Sequence, residues 1–296
     1  MRIFKKQYPA IAVFLLPGLV MYGYFFALPV LQTLLDSMFY WKGLSSSVVK
    51  EFVGPGNYVH LMTKDPYFWK AFGNTVYLMA VSLVLQVPLG FVLALILNSG
   101  IRGKHFFNVA FFMPYVLSAT SVALMWRFLY HPEGLINQFL QLIGLSCFTN
   151  SWLADPSTNI SAVALVAVWQ GAGFLMILFL AGLVNIPNEI LESCRIEGAG
   201  PSQVVFRVVI PMLRPVVITV VTLVMINSVK SFDIIWILTR GGPFHSTEVL
   251  TTWMYQLGFN LSQPARGTAV AGFIFMFVLL LNVLIRKVSN KDLVEY

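Results

Sequence analysis

The chain alternates between long apolar stretches and shorter polar connections. Six stretches have about 20 or more mostly apolar residues, the length at which a helix crosses the ~30 Å hydrocarbon core of a bilayer. They are Ile11–Leu35, Phe72–Leu97, Phe106–Tyr130, Ser161–Val184, Val216–Leu238 and Gly267–Ile285. Backbone groups in lipid must be hydrogen-bonded internally, and the stretches lack the alternation of barrel strands. The pattern therefore predicts an all-α polytopic membrane protein with six transmembrane helices, forming a single transmembrane domain over residues 1–296.

Prolines interrupt the first three stretches at positions 17, 29, 88 and 114. In membrane helices, neighbouring groups can satisfy the carbonyls that proline leaves unpaired. We expect these prolines to kink the helices without breaking them.

Composition supports a lipid environment. Of the 296 residues, 58% are hydrophobic and 10% are charged, whereas soluble domains have about 25% charged residues. The net charge of +7 is spread along the chain. It lacks the clustering of a nucleic-acid surface, so we expect the lipid bilayer and no nucleic acid as a partner.

Basic residues concentrate on one side of the predicted membrane. The short connections and the two terminal segments on that side carry Arg2, Lys5, Lys6, Arg102, Lys104, Arg195, Arg207, Arg214, Arg286, Lys287 and Lys291. The positive-inside rule makes this side cytoplasmic, with both termini cytoplasmic. The three longer connections on the other side have few positive charges.

The chain lacks the residue patterns of catalysis. No Gly-x-x-x-x-Gly-Lys-Ser/Thr loop is present to bind the phosphates of ATP. The four histidines have no metal-ligand spacing, and no carboxylate pair or Ser/His/Asp set is evident. We expect no catalytic residues, no metal and no cofactor in this chain.

A distinctive polar segment, residues 185–215, connects the fourth and fifth stretches. Asn188 can cap a first short helix, Gly198 or Gly200 can adopt the positive φ that ends it, and Pro201 suits the first turn of a second. The pattern predicts two helices around a glycine corner. An amphipathic helix resting on the membrane surface is the alternative interpretation.

The residues of this segment resemble the EAA loop of binding-protein-dependent transport permeases. That pattern is Glu-Ala-Ala, three residues, glycine, nine residues and Ile-x-Leu-Pro. Here Glu192-Ser193-Cys194 takes the place of the triplet, Glu197-Gly198-Ala199 that of Asp-Gly-Ala, and Pro211 closes the motif. The resemblance implies that Glu192, Ser193, Cys194, Glu197, Gly198, Ala199 and Pro211 form the loop that couples to an ATPase subunit.

A second segment narrows the resemblance. Leu238-Thr239-Arg240-Gly241-Gly242-Pro243, followed by Ser246-Thr247-Glu248, is similar to the exit of the fifth span in MalF/UgpA-type sugar permeases. From the residues alone, Gly-Gly-Pro predicts only a turn at the membrane surface.

The resemblance implies a type I ABC importer permease fold in the bacterial cytoplasmic (inner) membrane. It also implies four kinds of partner. These are a second, MalG-like permease subunit, two ABC ATPase subunits that bind ATP and Mg, an extracytoplasmic sugar-binding protein, and lipid. The implied function is ATP-driven import of a mono-, di- or oligosaccharide by alternating access.

Polar residues inside the spans are candidates for the pathway, because each is costly in contact with lipid. Asn227, Ser228, Lys230, Ser231 and Asp233 interrupt the fifth span, where Lys230 and Asp233 could pair at i, i+3. By the resemblance we expect a substrate pathway lined by Tyr115, Gln170, Gly171, Phe174, Ser228, Lys230 and Ser231. Alternatively, these polar residues join helices or extend to the interface, and Gly171 and Gly173 permit close helix packing.

One alternative of another class is an ion-coupled secondary transporter. Such proteins more often have internal repeats and intramembrane acids, and here only Asp233 and Asp36 lie near the predicted spans. The residues leave the identity of the sugar open, including whether it is neutral or anionic.

Overall fold

Helices make up nearly all of the regular structure in the residues that the computed structural model describes, 8–43 and 49–289. In chain order the helices are α1 Tyr8–Tyr22, α2 Leu28–Asp36, α3 Gly56–Thr63, α4 Phe68–Val81, α5 Val87–Asn98, α6 Lys104–Val116, α7 Ala119–Leu129, α8 Leu135–Leu142, α9 Asn159–Val184, α10 Asn188–Ile196, α11 Pro201–Val204, α12 Ile210–Met212, α13 Arg214–Lys230, α14 Asp233–Leu238, α15 Leu250–Tyr255 and α16 Pro264–Ser289. Strands β1 Phe39–Tyr40 and β2 Glu51–Phe52 form an antiparallel ribbon in which Phe39 pairs with Phe52. A 3₁₀ turn covers Ser146–Phe148.

Long apolar helices agree with the predicted all-α membrane fold. Four are long and apolar enough to cross a membrane: Val13–Asp36, Phe68–Asn98, Asn159–Val184 and Pro264–Lys287. Two bent pairs of helices, Lys104–Val116 with Ala119–Leu129 and Pro201–Met212 with Arg214–Lys230, raise the number to six if each is one span. The fold is thus an all-α membrane fold, with the small ribbon as an addition.

Prolines in these helices are accommodated in two ways. Pro17 lies inside α1. A five-residue π turn ends two residues before a proline in three places: Gly23–Ala27 before Pro29, Ser82–Gln86 before Pro88, and Val205–Val209 before Pro211. Proline has no N–H to donate and its ring presses on the preceding turn, so the wider turn lets the helix continue.

Pro114 is different, and the expectation that it only kinks its helix is wrong. Helix α6 ends at Val116, and α7 starts at Ala119 at an angle of 96° to it. The side chain of Ser118 caps α7 by accepting a hydrogen bond from Ser121 N at 3.1 Å. The break therefore lies at Leu117 and Ser118, after Pro114, and the N-cap serine starts a second helix inside a single apolar stretch.

The fifth predicted span is also interrupted. Helix α13 ends at Lys230, Ser231 is extended (φ −62°, ψ 120°), and α14 starts at Asp233. Because the helix stops between them, the i, i+3 geometry expected for Lys230 and Asp233 is lost. The ion pairs formed by the described residues do not include this pair.

The described residues divide into two units. The first comprises residues 1–65 and 254–276, apart from those outside the described ranges. In it, buried Asn57 on α3 donates to the carbonyls of Ser37 at 2.9 Å and Phe39 at 2.8 Å, and Tyr58 donates to the Ser37 hydroxyl at 2.7 Å. These bonds fix the turn between α2 and the ribbon.

Helix α9 is the centre of the second unit, residues 66–253 with the described part of 277–296. Thirteen of its residues are buried, and eight of them belong to two apolar clusters formed with α4, α5, α7, α13 and α14. Small residues allow the close approach of the backbones. A Cβ on Gly90 of α5 would lie 2.7 Å from Leu175 Cβ, and one on Gly173 would collide with the carbonyl group of Phe111 on α6.

Candidate functional site

A cavity of about 390 Å³ lies where the two interrupted spans face α9 and the π turn of the second span. It is lined by Leu78, Ser82, Gln86, Tyr115, Ala119, Val163, Ala167, Gln170, Gly171, Phe174, Leu175, Val224, Asn227, Ser228, Ser231, Asp233 and Ile234. Six of the seven residues proposed for the pathway are in this wall. The seventh, Lys230, is exposed at the end of α13 and is not among the lining residues.

Two aromatic rings form one wall of the cavity. Tyr115 on α6 and Phe174 on α9 are stacked, with ring centroids 4.5 Å apart and planes 10° from parallel. Such a pair offers a broad apolar surface with one hydroxyl at its edge. Flat faces of this kind pack well against the C–H surface of a ring.

Side chains from other helices satisfy the backbone where each span breaks. Gln170 Nε2 donates to the Leu117 carbonyl at 3.3 Å, and Thr251 Oγ1 donates to the Ser231 carbonyl. A carbonyl left unpaired at membrane depth costs several kcal/mol. Non-helical backbone can therefore persist here because it is bonded and lines a cavity.

Amide and hydroxyl groups supply the remaining polarity. Ser228 is 9% exposed and donates to Val224 O of its own helix at 2.8 Å, which leaves its lone pairs available. Asn227 and Asp233 are exposed members of the wall. Among the described residues that line the cavity, Asp233 is the only acidic or basic one.

Sequence reasoning missed two polar wall residues, Ser82 and Gln86. They lie at the two ends of the π turn in the second span. A Cβ on Gly171 would collide with Gln86 Nε2, so Gly171 leaves room for that amide. The sequence did contain one signal for Gln86: it is a polar residue two positions before a proline, Pro88, in an otherwise apolar span.

A second candidate site is the connection between α9 and α13. Helix α10 ends in a Schellman motif: Ala199 N donates to Cys194 O and Gly198 N to Arg195 O, each at 3.0 Å. Gly198 has φ +79°, whereas Gly200 is extended at φ −68°. Of the two glycines considered, Gly198 forms the corner, and Pro201 starts the next helix as predicted.

Asn188 does not cap α10. Pro187 occupies the N-cap position, and Asn188 is the first helical residue with no capping side-chain bond. Pro187, with φ −59° and ψ 132°, sets the extended backbone that precedes the helix. Asparagine was the residue type expected at this boundary, but the helix begins one position earlier.

This connection is packed on the bundle at one face and exposed at the other. Leu191 and Val204 pack against a buried cluster that includes Val209 and Leu213. Most of the predicted coupling residues lie on the open side: Glu192, Ser193, Glu197, Gly198 and Pro211 are exposed, and Cys194 and Ala199 are half-buried. Ile196 is 87% exposed and Phe206 70% exposed on the same connection. Exposed apolar side chains of this kind can meet a protein partner or the membrane surface.

A third polar cluster lies after the fifth span. Glu248 is fully buried, with Oε2 2.5 Å from Thr252 Oγ1 and Oε1 3.1 Å from His245 Nδ1. Burial raises the pKa of the Glu248 carboxyl, and the hydrogen bonds from Thr252 and His245 oppose that rise. Among the described residues, no group of three or more His, Cys, Asp and Glu could hold a metal ion.

Comparison with known proteins gives a consistent result. The model of the family described as "Binding-protein-dependent transport system inner membrane component" matches residues 86–291. The permease protein MsmF of a multiple sugar-binding transport system in Streptococcus mutans is 35% identical, with 94% of each chain covered. The permease protein MalF of a trehalose/maltose transport system in Thermococcus litoralis is 30% identical over 93% of this chain and 92% of that protein.

Solved structures have the same fold. A bacterial ABC transporter involved in import of the acidic polysaccharide alginate contains a chain with a TM-score of 0.83 and 22% identity, covering 99% of this chain and 100% of that one. The alginate transporter bound to a periplasmic protein that holds an alginate pentasaccharide gives a TM-score of 0.79 at 23% identity, with 97% of each chain covered.

Proposed function

This chain belongs to the family of inner-membrane components of binding-protein-dependent transport systems, and we propose that it passes a sugar through the cavity between its interrupted spans. It is a multi-pass membrane permease subunit of an ABC importer, a transport component rather than an enzyme. The chemistry of the cavity wall is the observation that supports a sugar as the substrate.

The cavity offers the two kinds of contact that sugars make. The stacked Tyr115–Phe174 pair can pack against the C–H face of a pyranose ring, while Gln86, Gln170 and Ser228 can bond hydroxyls. MsmF and MalF, both at least 30% identical over almost the whole chain, are permeases of sugar systems. Their names and the wall chemistry support the same substrate class.

The exposed connection between α9 and α13 supports an assembly with ATPase subunits. We propose two of them, which bind ATP and Mg, together with a second, MalG-like permease and an extracytoplasmic sugar-binding protein. The excess of Lys and Arg on the side of this connection supports a cytoplasmic location for it and for both termini.

The mechanism proposed is alternating access. The glycine corner at Gly198 holds α10 at a fixed angle, and Leu191 and Val204 fasten the connection to the bundle core. Closure of the ATPase dimer would therefore move this connection as a rigid body and open the cavity outward; hydrolysis would reset it. Coupling of this kind requires only that the two states make different contacts with the ATPase.

Reconstitution tests the proposal. Uptake of a radiolabelled sugar into proteoliposomes should require the second permease, the ATPase subunits, ATP and the binding protein together. Sugar uptake that persists without any ATPase subunit would contradict the proposal and favour an ion-coupled secondary transporter.

Gln170→Leu should lower sugar uptake about tenfold with the ATPase still bound. The change removes an amide from the wall and leaves the Leu117 carbonyl without its donor, each worth about 1 kcal/mol. Uptake measured beside co-purification of the ATPase separates transport from assembly. Gln138→Leu is the matched control, because Gln138 is an exposed glutamine on α8 outside the cavity. Normal uptake of every sugar tested by Gln170→Leu would remove Gln170 from the pathway.

A further inference from the structure

The segment Thr239–Leu250, called here the Glu248 loop, folds around its own buried carboxylate. A Cβ on Gly241 would collide with that carboxylate, so the backbone closes directly over it. Thr247 adds a hydrogen bond from its hydroxyl to Gly242 O at 3.0 Å. The loop therefore has an internal polar core in place of an apolar one.

Hydrogen bonds from neighbouring helices hold the loop in place. Asn74 on α4 donates to the carbonyls of Ser246 at 2.8 Å and Glu248 at 2.7 Å. Asn159 at the start of α9 donates to the Ser246 hydroxyl at 2.5 Å, and Leu250 N donates to Thr75 Oγ1 at 3.0 Å. Two long helices thus fix the position of the loop.

The backbone of the loop is strained. Arg240, Phe244 and His245 have φ values of 51°, 50° and 56°, in the left-handed region that disfavours side chains with a Cβ. Each such residue is energetically unfavourable and persists only where its surroundings hold it. Adjacent residues with positive φ occur in some tight turns, but glycine, asparagine or aspartate usually occupies those positions, so here the surrounding hydrogen bonds must hold Phe244 and His245.

This rigid loop presents one large apolar side chain. Phe244 is 86% exposed, although residues 246–250 are buried. Lys70 Nζ lies 3.5 Å from the Phe244 carbonyl oxygen, and Arg240 is exposed four residues earlier. The exposed phenyl ring therefore belongs to a segment that also has exposed basic residues.

A cavity of about 350 Å³ adjoins the loop at Gly242 and Pro243. Arg127 and His131 are in its wall, with Tyr130, Ser151, Leu153 and Ala154. Neither Arg127 nor His131 is in an ion pair among those that the described residues form. The surface thus combines a projecting ring with a recess suited to an acidic side chain.

We propose that Phe244 and the recess at Arg127 and His131 form the docking surface for the extracytoplasmic binding protein. This rests on the proposed function, which supplies the partner and the orientation. The partner face that fits is an apolar depression with carboxylates at its rim. An exposed aromatic ring beside cations also suits lipid headgroups, but a fluid interface would not require a strained backbone fixed by buried hydrogen bonds.

Half-saturation of ATPase activity by the binding protein provides the test. The assembled transporter is placed in neutral-lipid nanodiscs, and the binding protein that stimulates the wild-type complex is titrated at several salt concentrations. Phe244→Ala should raise its half-saturating concentration about tenfold, as expected for a central aromatic anchor, with the maximal rate within twofold of wild type. Arg127→Glu should also raise it and should weaken its dependence on salt.

Phe148→Ala is the matched control, because Phe148 is 62% exposed in another connection on the same predicted side. Unchanged half-saturation in Phe244→Ala, or an equal rise in Phe148→Ala, would overturn the docking surface while leaving the proposed function intact. An effect of Phe244→Ala seen only in anionic lipid would overturn it in favour of a lipid contact. A wild-type complex that no binding protein stimulates would overturn both proposals.

Discussion

Gly173→Ala should prevent the chain from accumulating as a stable, monodisperse protein. A methyl group at Gly173 would collide with the carbonyl oxygen of Phe111 and lie 2.6 Å from its carbonyl carbon. The obstacle is backbone of α6, which cannot rotate away as a side chain could. Separating α6 from α9 would also open the apolar contacts beside them, so we expect destabilisation of at least about 3 kcal/mol.

Thermal size-exclusion chromatography of the solubilised protein provides the measurement. Gly73→Ala is the control: Gly73 is on α4, and a Cβ there meets nothing within 4 Å. A glycine replaced by alanine in an open helical position gains roughly 0.5–1 kcal/mol. Equal stability of the two variants would show that α6 and α9 do not approach as closely as described.

Gly198→Val should abolish ATP-driven uptake while leaving membrane insertion intact. Gly198 has φ +79°, and no atom lies within 4 Å of a Cβ placed there, so the effect comes from backbone strain and not from collision. A left-handed L-residue costs about 1–2 kcal/mol, and a β-branched one more. The backbone at residue 198 should therefore adopt another conformation, which would turn α10 away from the ATPase.

Gly200→Val is the control in the same loop. Gly200 is extended and precedes a proline, a conformation that valine accepts readily. Uptake and ATPase co-purification should both fall at least about tenfold in Gly198→Val and stay near wild type in Gly200→Val. Normal uptake in Gly198→Val would remove the coupling role from this corner.

The length of the apolar stretches predicted the membrane helices, because about 20 consecutive apolar residues rarely occur outside a transmembrane helix. It did not predict the breaks at residues 117–118 and 231–232, since both are inside apolar stretches and depend on partners distant in the chain. Gln170 for one break and Thr251 for the other become apparent only once α9 and α15 are in place. The π turns before Pro29, Pro88 and Pro211 were also missed, because proline alone does not determine how its helix adjusts.

The candidate cavity was predicted mostly through the family resemblance. Tyr115, Gln170 and Phe174 face one space because α6 and α9 pack closely at Gly173. Lys230 was also included by the resemblance, but it is exposed where α13 ends and does not line the cavity. Gln86 was omitted because its helix resembles an ordinary apolar span until the π turn redirects it.

The hydrogen bond from Gln170 to the Leu117 carbonyl joins two tasks in one side chain. The amide that faces the cavity also supports the elbow of the third span, and its Oε1 and second N–H remain free. A sugar that hydrogen-bonds this amide would therefore also change the interaction that supports the bend between α6 and α7. Straightening of that bend would move the amide away from the sugar. If the cavity is the sugar pathway as proposed, we expect its occupancy and the shape of the third span to be coupled through this hydrogen bond.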